Sequence, residues 1–187
     1  MENRAHNIEP LEKRIKRFQD GHPIEIIETL LNSIANFFNN EIRITTEGNN
    51  YQTSLLFLGI HAVALTIAEG FFNKKGPEGY RLFLEKFVDG KTTDTKFSLI
   101  AEPIHNWRNI LAHQWLGIGG YDIGYDYKLK SGWEKREDTI FINPKIYCEH
   151  YLNAFGQNGR LWDYQDMFTE EELYQIKDRL LNKFLSR

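Results

Sequence analysis

Cysteine is nearly absent from this chain, and so is any excess of positive charge. One cysteine, Cys148, occurs in 187 residues, which excludes an intrachain disulfide and predicts a buried thiol in a reducing cytoplasm. The formal net charge is −3, so the overall charge does not attract nucleic acid. A nucleic-acid partner would have to bind a local patch of basic side chains instead.

Membrane and targeting signals are lacking as well. Residues 1–6 are too polar to begin a secretory signal. The longest apolar stretch, residues 55–72, contains His61, Thr66 and Glu69, and its charge-free portion is shorter than the ~20 residues that a membrane span requires. We therefore expect a buried core helix in a soluble, cytoplasmic protein without a membrane partner.

Signals for metals and cofactors are also missing from the sequence. No group of Cys, His, Asp and Glu has the close spacing of a metal site, and His105 and His113 lie two helical turns apart. The glycines within residues 117–120 follow a helix and not a strand, so they do not form a phosphate-binding loop. We expect neither a metal nor a cofactor.

Internal repeats, low-complexity tracts and linkers are absent, which favours a single domain over residues 1–187. A chain of this length buries roughly 70% of its unfolded surface, which is enough for a sizeable core. Residues 1–22 are expected to form an N-terminal helical extension of this domain.

Prolines are few, and each precedes a segment with helical periodicity. Proline is tolerated at the first turn of a helix because its missing N–H would have no partner there. The five prolines are Pro10, Pro23, Pro77, Pro103 and Pro144. Apolar periodicity predicts helices over about 23–43, 52–73, 77–88, 103–115 and 144–155, and a capping-box pattern at Thr169 opens a last helix. The predicted fold class is therefore all-α.

One segment between the helices has a different pattern. Residues 125–130 alternate with period two, as does part of residues 139–142, and Ser131-Gly132 between them is typical of a turn. We predict a small β-hairpin insertion near residues 122–142.

The predicted helix over about residues 103–115 carries side chains suited to phosphate chemistry. Arg108, Asn109 and His113 lie along it. Histidine titrates near neutral pH and can transfer a proton, whereas arginine keeps its charge and presents a planar fork of donors that fits a phosphate. Together, these two residue types can cleave RNA without a metal ion.

A helical wheel places Arg108 about 40° from Ile104, on the shoulder of the apolar face, and His113 about 140° further round. An arginine there needs a paired acid, or a cavity or partner that supplies anions. On one straight helix Arg108 and His113 do not touch. They either flank one groove, or converge through a distorted helix or a second chain. The ordinary alternative is a salt-bridged arginine and a histidine satisfied by local hydrogen bonds.

The pattern Arg-Asn-x-x-x-His, late in a helical chain, resembles the signature of the HEPN superfamily (higher eukaryotes and prokaryotes nucleotide-binding domains). The similar order of helices covers residues 23–73, the motif helix and a helix after it. The resemblance implies a HEPN-like helical bundle that forms a homodimer, with two motifs facing a shared cleft. Many members are metal-independent endoribonucleases of toxin–antitoxin, abortive-infection or CRISPR-linked defence.

The resemblance also implies a role for each motif residue. Arg108 would stabilise the charged phosphorane, His113 would act as general acid or base, and Asn109 would orient one of them or the phosphate. The implied reaction is attack of an RNA 2′-hydroxyl on its own phosphate, which leaves a cyclic phosphate. The expected partners are a second copy of the chain, an RNA substrate and an antitoxin protein. The alternative is a non-catalytic HEPN module that binds a nucleotide, RNA or a protein partner.

One position departs from part of the family. In HEPN toxins that a nucleotidyltransferase silences, a tyrosine two residues after the histidine accepts nucleotides. Trp115 stands at that position here. Because indole has no hydroxyl, we do not expect this mode of silencing.

Three further residues are candidates for an auxiliary role, because some HEPN nucleases add an acid or a second histidine from an earlier helix. His61 and Glu69 lie in the apolar helix. Their structural alternative is that Glu69 pairs with Arg108 or another cation, and that His61 bonds a backbone carbonyl. His105 shares the polar face of Asn109 and His113 on the wheel, and is otherwise a solvated residue.

Overall fold

The computed structural model describes residues 9–44, 53–90, 95–114, 123–156 and 158–185. The described chain is mostly helical and has a small three-stranded sheet. The prediction of an all-α fold is therefore confirmed at the level of fold class. The helices are α1 Leu11–Asp20, α2 Pro23–Phe37, α3 Thr53–Phe72, α4 Gly76–Phe83, α5 Ala101–Gln114, α6 Pro144–Phe155, α7 Tyr164–Met167 and α8 Glu170–Leu185. Turns of π-helix extend α2 over Phe38–Ile42 and α4 over Leu84–Val88, and 3₁₀ turns occupy Phe97–Ile100 and Arg160–Asp163.

Side-chain caps explain where two of the helices begin. The Asn143 side chain accepts hydrogen bonds from the backbone N–H groups of Lys145 and Ile146 at the start of α6. Before α8, the backbone N–H of Thr169 donates to Glu172, and the backbone N–H of Glu172 donates back to the Thr169 hydroxyl. This reciprocal arrangement is a capping box, so the predicted start of the last helix is confirmed.

The sheet differs from the predicted hairpin. Its strands are β1 Ile123–Tyr125, β2 Trp133–Arg136 and β3 Thr139–Ile142, in the order β1-β3-β2. β3 pairs antiparallel with β2 and parallel with β1. The prediction that residues 125–130 form one arm of the hairpin was therefore wrong. The hairpin consists of β2 and β3, and its turn contains Glu137 at a φ of 52°.

Two local contacts explain this difference. The Asp126 carboxylate accepts a hydrogen bond from the Lys128 backbone N–H at 2.9 Å, which closes a turn and ends β1 after Tyr125. Gly132 has a φ of 78°, and a Cβ atom there would lie 2.7 Å from Thr95 and 3.1 Å from Phe97. Gly132 therefore allows a close approach to the helical core, and the chain does not reverse there as the hairpin prediction required.

Helix α3 lies at the centre of the hydrophobic core. Its residues Ile60, Ala64, Ile67 and Ala68 are fully buried, and the helix packs against α4, α5 and α8. Among the described residues, the stretch Ser54–Phe72 is also long and apolar enough to cross a membrane by length and composition, although half of it is buried inside the fold.

Helix α8 crosses α3 closely at Gly70. A Cβ atom on Gly70 would lie 2.7 Å from Cδ2 of Leu180, and Leu180 is itself fully buried. At the same end of α3, the Arg179 guanidinium donates hydrogen bonds to the backbone carbonyls of Gly70 at 2.8 Å and Phe71 at 3.0 Å. These carbonyls have no partner within the helix, so Arg179 caps it.

Three tyrosine hydroxyls meet in the core between α4 and α6. The Tyr151 hydroxyl lies 3.1 Å from that of Tyr147 and 3.2 Å from that of Tyr80, and the Tyr80 and Tyr147 hydroxyls also bond each other. All three side chains are fully buried. The neighbouring Cys148 is buried as predicted, and burial raises the pKa of its thiol to about 12.

Candidate functional site

Helix α5 positions the motif by burying one face in the core. It follows directly from the 3₁₀ turn Phe97–Ile100, and Pro103 lies in its first turn. Ile104 is fully buried and Trp107 is 7% exposed, as the helical wheel predicts. Trp107 packs edge-on against Phe57 of α3 at 5.2 Å between ring centroids. This packing fixes the rotation of α5 and therefore the direction of its remaining side chains.

Arg108 is half-buried on the shoulder of this apolar face. Its Nη1 atom donates a hydrogen bond to Oδ1 of Asn109 at 2.8 Å, whereas its Nε atom is buried and has no hydrogen-bond partner among the described residues. None of the ion pairs in the described ranges includes Arg108. The sequence allowed either a paired acid or an anion from a cavity or partner. The described residues supply no acid, so the guanidinium keeps donors for an external anion.

Asn109 is the one side chain that orients this guanidinium in the described part of the chain. Because its amide oxygen accepts from Nη1, the neighbouring side chain restricts the rotation of Arg108 without neutralising its charge. The orienting role that the family resemblance implies for Asn109 stays a prediction.

His113 lies in α5, but its side chain falls outside the described residues, as does Trp115. On a regular helix, five residues advance by about 140°, so the Cβ atoms of Arg108 and His113 point in different directions. The prediction that His113 acts in the same site therefore stays a prediction.

His61 and His105 form a contact that the sequence did not predict. Nε2 of His61, on α3, lies 3.0 Å from Nδ1 of His105, on α5. His61 is fully buried and His105 is 8% exposed. The description of His105 as a solvated residue was wrong, because this bond lets a polar ring enter the interface between two helices. The alternative for His61 was also wrong in its partner, which is His105 and not a backbone carbonyl.

Electrostatics connects this pair with Arg108. Burial, followed by the nearby His105 and the positive charge of Arg108, lowers the pKa of His61 to about 3. Burial and Arg108 also lower the pKa of His105. Both rings are therefore neutral at pH 7, and the guanidinium is close enough to influence both of them.

Glu69 lies away from this cluster. Its carboxylate pairs with Lys75 at 2.9 Å and with Lys183 on α8, and hydrogen bonds from these two lysines lower its pKa. Glu69 follows His61 by eight residues, which is about 12 Å along a helix. The structural alternative for Glu69, pairing with a cation, is correct, but its partners are lysines and not Arg108.

A weak signal for the histidine pair was present in the sequence. His61 lies in a helix with few other polar groups, and a buried imidazole needs a hydrogen-bond partner. What the sequence did not contain was the packing of α3 against α5, which selects His105 as that partner. No group of three or more potential metal ligands occurs among the described residues.

Comparison with known proteins adds no relative. No protein-family model matches the chain, and neither a curated protein nor a solved structure matches it significantly. The resemblance to the HEPN superfamily therefore depends on the motif residues and on the order of the helices.

Proposed function

We propose that this chain is a metal-independent endoribonuclease of the HEPN type that acts in a toxin–antitoxin or phage-defence setting. The observation that supports it is the environment of Arg108. A half-buried guanidinium that has, among the described residues, a side-chain hydrogen bond to Asn109 and no ion pair is suited to bind an anion from outside the protein. In an RNase, that anion is the scissile phosphate.

The proposed reaction follows from the chemistry of the two motif side chains. The RNA 2′-oxygen attacks the adjacent phosphorus as a base removes the hydroxyl proton, and the bond from phosphorus to the 5′-oxygen breaks as that oxygen receives a proton. The products are a 2′,3′-cyclic phosphate and a 5′-hydroxyl. His113 transfers a proton, a role that typically contributes about 10²–10⁴-fold. Arg108 stabilises the extra negative charge of the phosphorane, and Asn109 holds the guanidinium.

The proposal includes a homodimer. Because Arg108 and His113 diverge by about 140° on one helix, the two groups act on one phosphate most simply when a second copy brings its own motif opposite the first. A shared cleft of this kind gives a two-fold symmetric site. The proposed macromolecular partners are a second copy of the chain, RNA, and an antitoxin protein.

The test is cleavage of a 5′-labelled RNA of mixed sequence in excess EDTA. The expected result is cleavage with cyclic phosphate ends in the wild type and none in His113→Ala, at matched melting temperatures. Asn106→Ala is the control, because Asn106 is an exposed residue on the same helix. This variant should cleave RNA like the wild type. Activity that disappears with EDTA and returns with a divalent ion contradicts the mechanism. Equal activity of His113→Ala and wild type, or RNA binding without cleavage, favours a non-catalytic module.

A further inference from the structure

The proton positions in the buried histidine pair determine what His105 presents to its surroundings. A neutral imidazole has one N–H donor and one acceptor nitrogen. The 3.0 Å contact therefore has two arrangements. Either His61 donates its Nε2–H to Nδ1 of His105, or His105 donates its Nδ1–H to Nε2 of His61.

The other nitrogen of His61 distinguishes these arrangements. Nδ1 of His61 is buried and finds no hydrogen-bond partner in the described part of the chain. In the second arrangement this atom has to carry a hydrogen, and a buried N–H without an acceptor is rarer and more costly than an unused acceptor. The charge of Arg108, which acts on the His61 ring, also favours a lone pair over an N–H group. Both effects favour the arrangement in which His61 is the donor.

This arrangement fixes the state of His105. Since Nδ1 of His105 accepts, the proton of the neutral ring must be on Nε2. Protonating Nδ1 as well would set two N–H groups against each other, unless His61 moved its own proton to the buried Nδ1 position. Two titratable groups face the pair from the helices packed around it. Arg108 on α5 lowers the pKa of both rings, and Tyr80 of α4 contacts His61 in a tilted arrangement at 4.0 Å between ring centroids.

We infer that His61 is a positioning residue that holds His105 in its Nε2–H form, and that this N–H is a second hydrogen-bond donor for the RNA phosphate bound by Arg108. The inference rests on the proposed function for its ligand. His105 lies three residues before Arg108 on α5, so the two side chains are neighbours on the helix. Nε2 of His105 has no protein partner among the described contacts, and the residue keeps 8% of its surface exposed.

His105 and His113, which lie on the same helix, then have different roles. His105 stays neutral and contributes binding of the phosphate, whereas proton transfer is left to His113. Loss of His105 should therefore raise KM more than it lowers kcat, and it should leave the pH dependence of cleavage in place. Loss of His113 should lower kcat.

The tautomers are tested first, without RNA. Nitrogen NMR of protein labelled with ¹⁵N-histidine distinguishes Nδ1–H from Nε2–H rings, and the signals of His61 and His105 are assigned by their loss in His61→Met and His105→Met. The expected result is Nε2–H on both rings at pH 7. His61→Gln retains a donor at the position of Nε2 and should keep His105 in this form. His61→Met has a similar length but no donor and should release it. A proton on Nδ1 of His105 in the wild type overturns the inference.

Binding is tested next with a mixed-sequence RNA in which every 2′-hydroxyl is methylated. This probe has no nucleophile, so it reports binding alone. His105→Met should bind roughly 10- to 100-fold more weakly than the wild type, as expected for loss of a hydrogen bond to a charged group. His61→Met should lie between them, and His61→Gln should bind like the wild type.

The outcomes separate this inference from the proposed function. Wild-type binding that His105→Met weakens, without cleavage of unmodified RNA by either protein, supports the second donor and contradicts the RNase. Cleavage and binding by His105→Met equal to those of the wild type, at matched melting temperatures, overturn the inference and leave the RNase in place. A wild type that neither binds nor cleaves RNA overturns both.

Discussion

Replacing Arg108 by methionine should separate binding of an anion from stability of the fold. Methionine retains most of the length of the side chain and removes its charge. The variant loses one hydrogen bond, from Nη1 to Oδ1 of Asn109 at 2.8 Å, which contributes roughly 0.5–1.5 kcal/mol. It also removes the buried Nε atom, which has no partner within the described ranges and whose desolvation costs about 1–3 kcal/mol. The free energy of unfolding should therefore change by between about −0.5 and +2.5 kcal/mol.

A second arginine of the same chain provides the matched control. Arg179 is also half-buried, but it donates to the carbonyls of Gly70 and Phe71 at the end of α3. Arg179→Met removes both bonds and leaves the two carbonyls without a protein partner. We expect it to lower the free energy of unfolding by roughly 2–4 kcal/mol. The two substitutions change the same atoms, and their effects on stability should differ in sign or be clearly unequal.

The assay is urea unfolding of the three proteins at pH 7. All three are measured at one protein concentration, because the stability of the proposed dimer would depend on concentration. Inorganic phosphate is then added in a thermal melt. It should raise the Tm of the wild type, which binds the anion when folded, and leave that of Arg108→Met unchanged. If Arg108→Met loses as much stability as Arg179→Met, then Arg108 has a structural partner, and the anion-binding interpretation is refuted.

Three further predictions concern assembly, pH and packing. Light scattering at micromolar concentration should report a dimer, and a strict monomer would contradict a shared cleft. The pKa of His61 is lowered to about 3 in the folded protein from its ordinary 6.5. Between these two pKa values the unfolded chain binds more protons than the folded one, so the stabilising contribution is complete above pH 6.5 and is lost as the pH falls. Urea unfolding at several pH values measures how the free energy of unfolding depends on pH, and His61→Met should reduce this dependence by up to about 1.4 kcal/mol per pH unit. Gly70→Ala should be less stable in urea than Gly59→Ala by at least about 1 kcal/mol, because a Cβ atom meets Leu180 at 2.7 Å at the first position and nothing closer than 3.6 Å at the second; equal stability would show that α8 moves freely.

Helix positions were largely predictable because the signals that set them are local. The cap at Asn143 and the capping box at Thr169 act within three residues of their own positions, so the sequence contains both partners. The same is true of the apolar face of α5, where Ile104 and Trp107 are buried as the period of the helix requires.

The sheet and the histidine pair depend on distant residues, and there the sequence was insufficient. β1 pairs in parallel with β3. Turn residues in the sequence indicate antiparallel hairpins only, so they could not predict this pairing. The pair Ser131-Gly132 is typical of a hairpin turn, but Gly132 has a φ of 78° and lies so close to Phe97 that a side chain would not fit there. His105 fell on the polar side of the wheel, yet His61, 44 residues earlier, gives its ring a partner inside the fold. Polarity alone does not predict exposure when a partner is supplied from another helix.

The three buried tyrosines have a consequence for how this core can change during evolution. In a closed ring of hydroxyls, each oxygen can donate one hydrogen bond and accept one, so Tyr80, Tyr147 and Tyr151 satisfy one another. Changing one of them to phenylalanine breaks the ring and leaves a hydroxyl hydrogen without an acceptor. Changing all three gives an apolar core in which no group is left unsatisfied. The intermediate sequences are therefore less stable than either end of the path, so the effects of substitutions at these positions of α4 and α6 are not additive.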